Sequence, residues 1–286
     1  MKRIVVPAAI ILCVFWFYSC TKPGREISDV PGVAVSVFPV YDIARNICGD
    51  KAFPFFVIPA GADPHTFEPL PSVASELRNV SLFIGVTREF DGWIERYLPE
   101  RAVRRYLISP DAGSTHTANP HIWLSVRQAE KIAASIARSL EMVDAANIGY
   151  YRKNLAAYLN KLNELDKTIA GLFKNTRSTS FIQWHEAWNY LAADYNLTIA
   201  GTVQREGSDR ASVRSIKEIV DRAKRDRVRV IVVSLNAEIK AALVLANEIR
   251  GTVVRLDGIG DPDSDDRSNY IKLMLYNAQT LAAALR

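Results

Sequence analysis

The sequence predicts an α/β protein: two small parallel-sheet lobes joined by one long rigid helix. Three observations predict it. Short apolar runs alternate with helical stretches between Asp29 and Ile108. The same alternation returns between Ser178 and Leu285. Between them lies a helical pattern that neither Pro nor Gly interrupts from Tyr150 to Ala170. Strands alternating with helices imply βαβ units and a mostly parallel sheet.

In the first half, Val33 to Phe38 reads as a strand and Val40 to Cys48 as a helix closed by Gly49. Phe53 to Ile58 is a strand rich in aromatic and β-branched residues, stopped by Pro59, Gly61 and Asp63-Pro64. A short helix over Pro71 to Arg78, a strand over Val80 to Gly85, a helix over Phe90 to Tyr97 and a strand over Arg105 to Ile108 follow. Two helices come next with no strand between them. Ser125 is a good N-cap for Val126 to Val143, in which Ile132, Ile136 and Leu140 recur every four residues. The second begins near Asp144 and runs toward Asn175, with Tyr151, Leu155, Tyr158, Leu162, Leu165, Ile169 and Leu172 on one face. Such a helix spans roughly 40 Å, longer than one small lobe requires, so it is read as crossing both.

In the second half, strands are expected over Ser178 to Trp184, Leu197 to Val203, Val228 to Leu235 and Thr252 to Leu256. The third is apolar enough that both its faces must be covered. Helices are expected over Glu186 to Tyr195, over Ala211 to Lys224 with a cap from Ser208 or Asp209, over Glu238 to Arg250 before Gly251, and over Ser268 to Leu285. The organisation is therefore a leader over 1–19, a tether over 20–28, an N-terminal lobe over 29–145, a linking helix over 146–175 and a C-terminal lobe over 176–286.

The leader has the pattern of an export signal. Lys2 and Arg3 precede an apolar run from Ile4 to Tyr18, shorter than the roughly 20 residues of a spanning helix. The Ser19-Cys20 junction is similar to a bacterial lipoprotein signal, in which Cys20 becomes the lipidated first residue; the competing reading is a membrane anchor that is never cleaved. The chain is then expected outside the cytoplasm, in the periplasm or on the outer face of the cytoplasmic membrane, tethered through that lipid. Cys48 is the one cysteine left beyond Cys20, so no intrachain disulfide is expected, and on its helix it reads as a core residue. The net charge of +5 is scattered, apart from Arg101 to Arg105 and Arg222 to Arg229. The latter reads as a solvated helix end whose cations complement the dipole. The chain shows no aromatic-interleaved basic stripe, which argues against nucleic acid as a partner.

The chain has four histidines, and three share one setting. His65 sits at the tip of the loop after Ile58, His121 follows Asn119-Pro120, and His185 ends the run Phe181-Ile182-Gln183-Trp184. Each lies at a strand end or a breaker with apolar neighbours. One such histidine is most simply structural. Three together point to a metal, because imidazole is a common ligand and must be aimed by rigid neighbours. In open α/β sheets, ligands bind beyond the carboxyl ends of strands. His65, His185 and Asp257 fall just after strands and His121 just before a helix, so two candidates come from each lobe and the site is expected in the cleft between them.

Four segments carry a family resemblance: Gly61 to Pro69, Asn119 to Leu124, Trp184 to Trp188, and Val253 to Asp257. In their order and spacing the chain resembles the zinc- and manganese-binding solute receptors of bacterial metal ABC importers, the cluster A-I group with a rigid helical backbone. The resemblance covers essentially the whole mature chain. It implies a metal held by His65, His121, His185 and Asp257, and delivery to a membrane permease. The chain is expected to be a monomer and not an enzyme. Three imidazoles and one carboxylate suit tetrahedral Zn2+. Nitrogen-rich sites favour zinc over manganese, although geometry and supply leave Mn2+ open. Asp261 rivals Asp257 as the carboxylate. The segment Ser109 to Ala118 holds only His116 where many zinc receptors carry a His- and acid-rich loop. Ser125-Val126 stands where Asp-Pro is frequent, and Val233 to Asn236 lacks an acid common in the family.

Two other chemistries fail on spacing. Asp261 to Asp266 begins like a calcium loop, but Asp266 stands where Gly is required and Lys272 where the bidentate Glu belongs. His185-Glu186 could open a zinc-hydrolase motif, but Asn189 stands where its second histidine belongs. An adhesin built on the same scaffold is the remaining rival class.

Overall fold

The computed structural model describes residues 30–60, 62, 67, 69–108, 119–205 and 212–286. The leader, the tether, Cys20, His65, His116, Ser208 and Asp209 lie outside the described residues.

Among the described residues eight strands form two four-stranded sheets, and every pairing is parallel. The first contains β1 (Gly32–Val35), β2 (Phe53–Phe56), β3 (Leu82–Gly85) and β4 (Val103–Tyr106), in the order β2-β1-β3-β4. The second contains β5 (Ser180–His185), β6 (Thr198–Gln204), β7 (Val230–Ser234) and β8 (Thr252–Leu256), in the order β6-β5-β7-β8. The two orders are the same path drawn twice. In each sheet the direction of winding reverses between the first and third strands, where the carboxyl ends leave a crevice.

The helices are α1 (Phe38–Cys48), α2 (Pro71–Leu77), α3 (Arg88–Asp91), α4 (Val126–Val143), α5 (Ile148–Lys174), α6 (Asn189–Asp194), α7 (Val213–Arg225), α8 (Lys240–Ile249) and α9 (Tyr270–Ala284). The long helix α5 packs on α1 and α4 of the first lobe and on α9 of the second. It buries Tyr151, Tyr158, Leu162, Leu165 and Ile169 of the expected face, with Phe173 besides, while Leu155 and Leu172 are partly buried. One hydrophobic core therefore runs through both lobes, from Val33, Ile43 and Trp123, past Leu162, to Phe181, Leu256 and Met274. Smaller clusters cover the outer face of each sheet, under α2 and the turn after α3 in one lobe and under α7 and α8 in the other. Cys48 is fully buried, and that burial pushes its thiol up to about 12.

Several element ends differ from the sequence reading, each for a local reason. β1 stops at Val35 because Val37 already caps α1, whose first turn holds Pro39. Thr87 caps α3, Gly92 begins a 3-10 turn, and the expected single helix over Phe90 to Tyr97 is thereby split. The helix expected from Glu186 starts only at Asn189. Residues 186–188 turn tightly instead, with the Ala187 N–H donating to the His185 carbonyl at 2.8 Å. His185 is thus the last residue of its strand rather than the first after it. The cap of α7 is Ser212, whose Oγ accepts the Ser215 N–H at 3.1 Å. At the end of α8, Arg250 adopts the left-handed conformation with φ of 49°. Gly251 serves a different need there: any Cβ on it would collide with the Arg229 carbonyl.

Among the described residues no helix is long and apolar enough to cross a membrane.

Candidate metal site

His121 and His185 meet across the two lobes. Their Nε2 atoms are 3.3 Å apart, and the rings stand at 79° to one another. Two nitrogens bound to one tetrahedral zinc at 2.0–2.1 Å lie about 3.3–3.4 Å apart by trigonometry. In the metal-free chain this contact is a hydrogen bond between the rings, and its length equals the separation that a shared metal ion sets.

Asn119 aims the first of them. Its Oδ1 accepts the His121 backbone N–H at 2.9 Å, which fixes the orientation of the amide. The same oxygen is 2.9 Å from His121 Nδ1. An amide oxygen only accepts, so Nδ1 carries the hydrogen of the neutral ring and Nε2 carries the lone pair. The amide nitrogen of Asn119 donates to the Glu186 carbonyl at 2.8 Å, and the Tyr190 hydroxyl donates to the Asn119 carbonyl at 2.9 Å. The two histidine loops are thus tied to each other directly.

Gln183 aims the second. It is buried on β5, two residues before His185. Its Oε1 accepts the Trp188 N–H at 3.0 Å, and its Nε2 donates to Asn189 Oδ1 at 2.7 Å and Thr202 Oγ at 3.0 Å. This network holds the 186–188 turn and, through it, the strand end that carries His185.

Asp257 follows β8 and is locked from every side. Its N–H donates to Asn277 Oδ1 at 2.8 Å and its carbonyl accepts from Asn277 Nδ2 at 2.6 Å. Oδ1 accepts the N–H groups of Ile259 and Gly260, both at 2.9 Å. Oδ2 accepts Arg267 Nε, also at 2.9 Å. The loop it begins reaches the first lobe, because Trp123 Nε1 donates to the Gly258 carbonyl at 2.6 Å. Trp123 in turn lies against the His121 ring, with centroids 5.3 Å apart. Asp261 faces its own loop instead, accepting the Asp263 N–H at 3.0 Å.

The structure thus brings His121 and His185 together, and it engages Asp257 in an ion pair with Arg267. Among the described residues no set of three His, Cys, Asp or Glu side chains converges closely enough to hold a metal. The sequence reading missed Asn119, Gln183 and Arg267 as supporting residues. Gln183 left a signal, a lone amide in an apolar strand. Arg267, ten residues from its partner, left none.

A two-lobed α/β chain that pairs a strand-end imidazole with a loop imidazole has counterparts among known proteins. The family model described as zinc-uptake complex component A, periplasmic, matches residues 33–284, and the chain belongs to that family. Among curated proteins it is similar to the zinc-binding lipoprotein AdcA of Streptococcus pneumoniae strain R6, at 26% identity over 98% of this chain and 60% of AdcA. It thus spans about three fifths of that relative. It is also similar to the high-affinity zinc uptake system protein ZnuA of Bacillus subtilis strain 168, at 26% identity over 98% of this chain and 96% of the other. A crystal structure of a ZnuA 138–173 deletion mutant with zinc bound superposes with a TM-score of 0.78 at 27% identity, covering 90% of this chain and 98% of that one. A serine-to-alanine mutant of a manganese-bound periplasmic metal-binding protein from Candidatus Liberibacter asiaticus shares the fold, with a TM-score of 0.79 at 19% identity over 90% of this chain and 100% of that one.

Proposed function

We propose that this chain is an extracytoplasmic receptor that captures Zn2+, with Mn2+ as the alternative cargo, and delivers it to an ABC permease. His65, His121, His185 and Asp257 are its ligands. It acts as a monomer without catalysis and is held to the membrane through a lipidated Cys20. The observation that carries the reading is the His121–His185 pair, 3.3 Å apart, with one imidazole fixed in the tautomer a metal needs. Zinc uptake by ZnuA and zinc binding by AdcA support the choice of cargo.

Metal is here the cargo, so the chemistry is capture and release. Neutral imidazoles held by Asn119 and by the Gln183 network lose little freedom on binding, which favours affinity. A site with one carboxylate leaves a divalent cation partly uncompensated, which favours exchange. The test is competitive titration of metal-free protein with zinc and manganese, alongside His65→Ala, His121→Ala and His185→Ala. Each variant is expected to lose affinity severely while keeping its circular dichroism. Normal affinity and stoichiometry in all three sinks the ligand set. For the anchor, Cys20→Ala is expected to release the protein from membranes, and retention with an uncleaved amino terminus refutes lipidation.

A further inference from the structure

We propose that Arg267 is a built-in cation that competes with the metal for Asp257, so that metal capture proceeds by displacing an internal ion pair. The inference rests on the reading of Asp257 as a ligand and adds what controls its availability.

The pair is well shielded, with the Asp257 side chain 12% exposed and that of Arg267 18%. The carboxylate accepts three hydrogen bonds. Two backbone N–H groups hold Oδ1 and Arg267 Nε holds Oδ2. Arg267 is itself held in place: its second nitrogen donates to Asp266 Oδ1 at 2.6 Å, and its guanidinium lies 4.9 Å from the centre of the Tyr276 ring.

A metal bound through Oδ2 would share one oxygen with a guanidinium. In a shielded site of low effective dielectric, two cations on one oxygen repel strongly. Each weakens the other's hold on that oxygen. In the metal-free protein Arg267 neutralises a carboxylate that would otherwise stand nearly buried and unpaired, a costly state. In the metal-bound protein the metal takes over that role. Arg267 therefore stabilises the metal-free form selectively, and selective stabilisation of one form lowers apparent affinity for the ligand of the other. For a receptor that must surrender its cargo, the returning guanidinium also supplies a replacement for the departing metal at the carboxylate.

The test uses the full chain. Zinc affinity is measured by competition with a chromophoric chelator for the unsubstituted protein, Arg267→Met, Arg267→Gln, Asp257→Asn and the Arg267→Met/Asp257→Asn double variant. Melting temperatures are recorded with and without zinc. Arg267→Gln keeps a donor for Oδ2 without the charge, and serves if Arg267→Met does not fold. Either single Arg267 variant is expected to bind zinc about ten- to a hundredfold tighter, the size of a charge-assisted hydrogen bond. The metal-free form should melt lower than the unsubstituted protein, while the zinc-loaded form melts near it. In the Asp257→Asn background the Arg267 substitution should leave affinity unchanged. Weaker or unchanged zinc binding in both Arg267 variants overturns the proposal and makes Arg267 a support of the loop. If Asp257→Asn itself leaves affinity intact while His121→Ala abolishes it, Asp257 is not a ligand and the proposal falls with it. Loss of zinc binding by the unsubstituted protein would instead overturn the receptor reading.

Discussion

At the scale of single residues, the side chains that matter most are neutral amides and one buried acid. Asn119 makes four hydrogen bonds across the two histidine loops, counting its own carbonyl. Removing its amide frees the His121 ring to rotate and to take the other tautomer. Asn119→Ala is expected to weaken zinc binding about ten- to a hundredfold, as for other groups that orient metal-bound histidines, while circular dichroism stays unchanged. Affinity equal to the unsubstituted protein would refute the orienting role. Asp91 sets a pH dependence of its own. Burial raises it from 3.8 to about 7, against the opposing pull of the Val86 N–H, which donates to its Oδ2. The folded chain holds that proton more tightly than the unfolded chain. The resulting stability is fully present below pH 3.8 and is lost as pH rises through about 7. Asp91→Asn should shrink the stability difference between pH 4 and pH 8 by on the order of 1–4 kcal/mol in denaturant titrations. An unchanged difference would place the proton elsewhere.

At the scale of elements, helix α4 shows how a cap can join two lobes. Ser125 Oγ accepts the Gln128 N–H at 2.9 Å and donates to Asp194 Oδ2, at the end of α6, at 2.6 Å. The Tyr270 hydroxyl, at the start of α9, reaches the carbonyls of Trp123 and Ser125 at 2.8 and 3.1 Å. Asp42 on α1 accepts the Tyr270 N–H at 2.9 Å, so the first lobe caps a helix of the second. Ser125→Ala removes the cap and leaves the partly buried Asp194 without this donor. It should cost about 1–3 kcal/mol in chemical denaturation, more than a cap alone. A cost below about 0.5 kcal/mol would mean that water replaces the hydroxyl without loss.

At the scale of the whole molecule, the continuous core around α5 limits how the lobes move. Hinged closure needs a few residues that absorb a backbone rotation. The linker here is a helix of 27 residues, and Pro, the usual cause of a sharp kink, is absent from it. Its buried face is shared with both lobes, so a large rotation would open the core itself. Metal binding is expected to reorder the loops around His65, His121, His185 and Asp257 and to leave the lobes nearly fixed. Scattering curves of metal-free and metal-bound protein should almost superimpose, while hydrogen exchange slows chiefly in those loops. A marked compaction would show that the lobes hinge despite the helix.

The sequence by itself determined the alternation of elements, the long helix and the histidine positions. Those features are local: periodicity, caps and breakers act within a few residues. The Val126–Val143 helix with its Ser125 cap and the Thr252–Leu256 strand were legible to the residue. Other ends were not, because a strand stops where its partner stops and a turn such as 186–188 is held by Gln183, a side chain outside it. Only the tertiary structure decided that His121 and His185 face each other at 3.3 Å, that Asn119 fixes the tautomer, and that Asp257 is already engaged by Arg267. Those facts depend on distances between residues up to 64 apart in the chain. Such distances are set by the packing of two sheets on one helix, which no local pattern encodes.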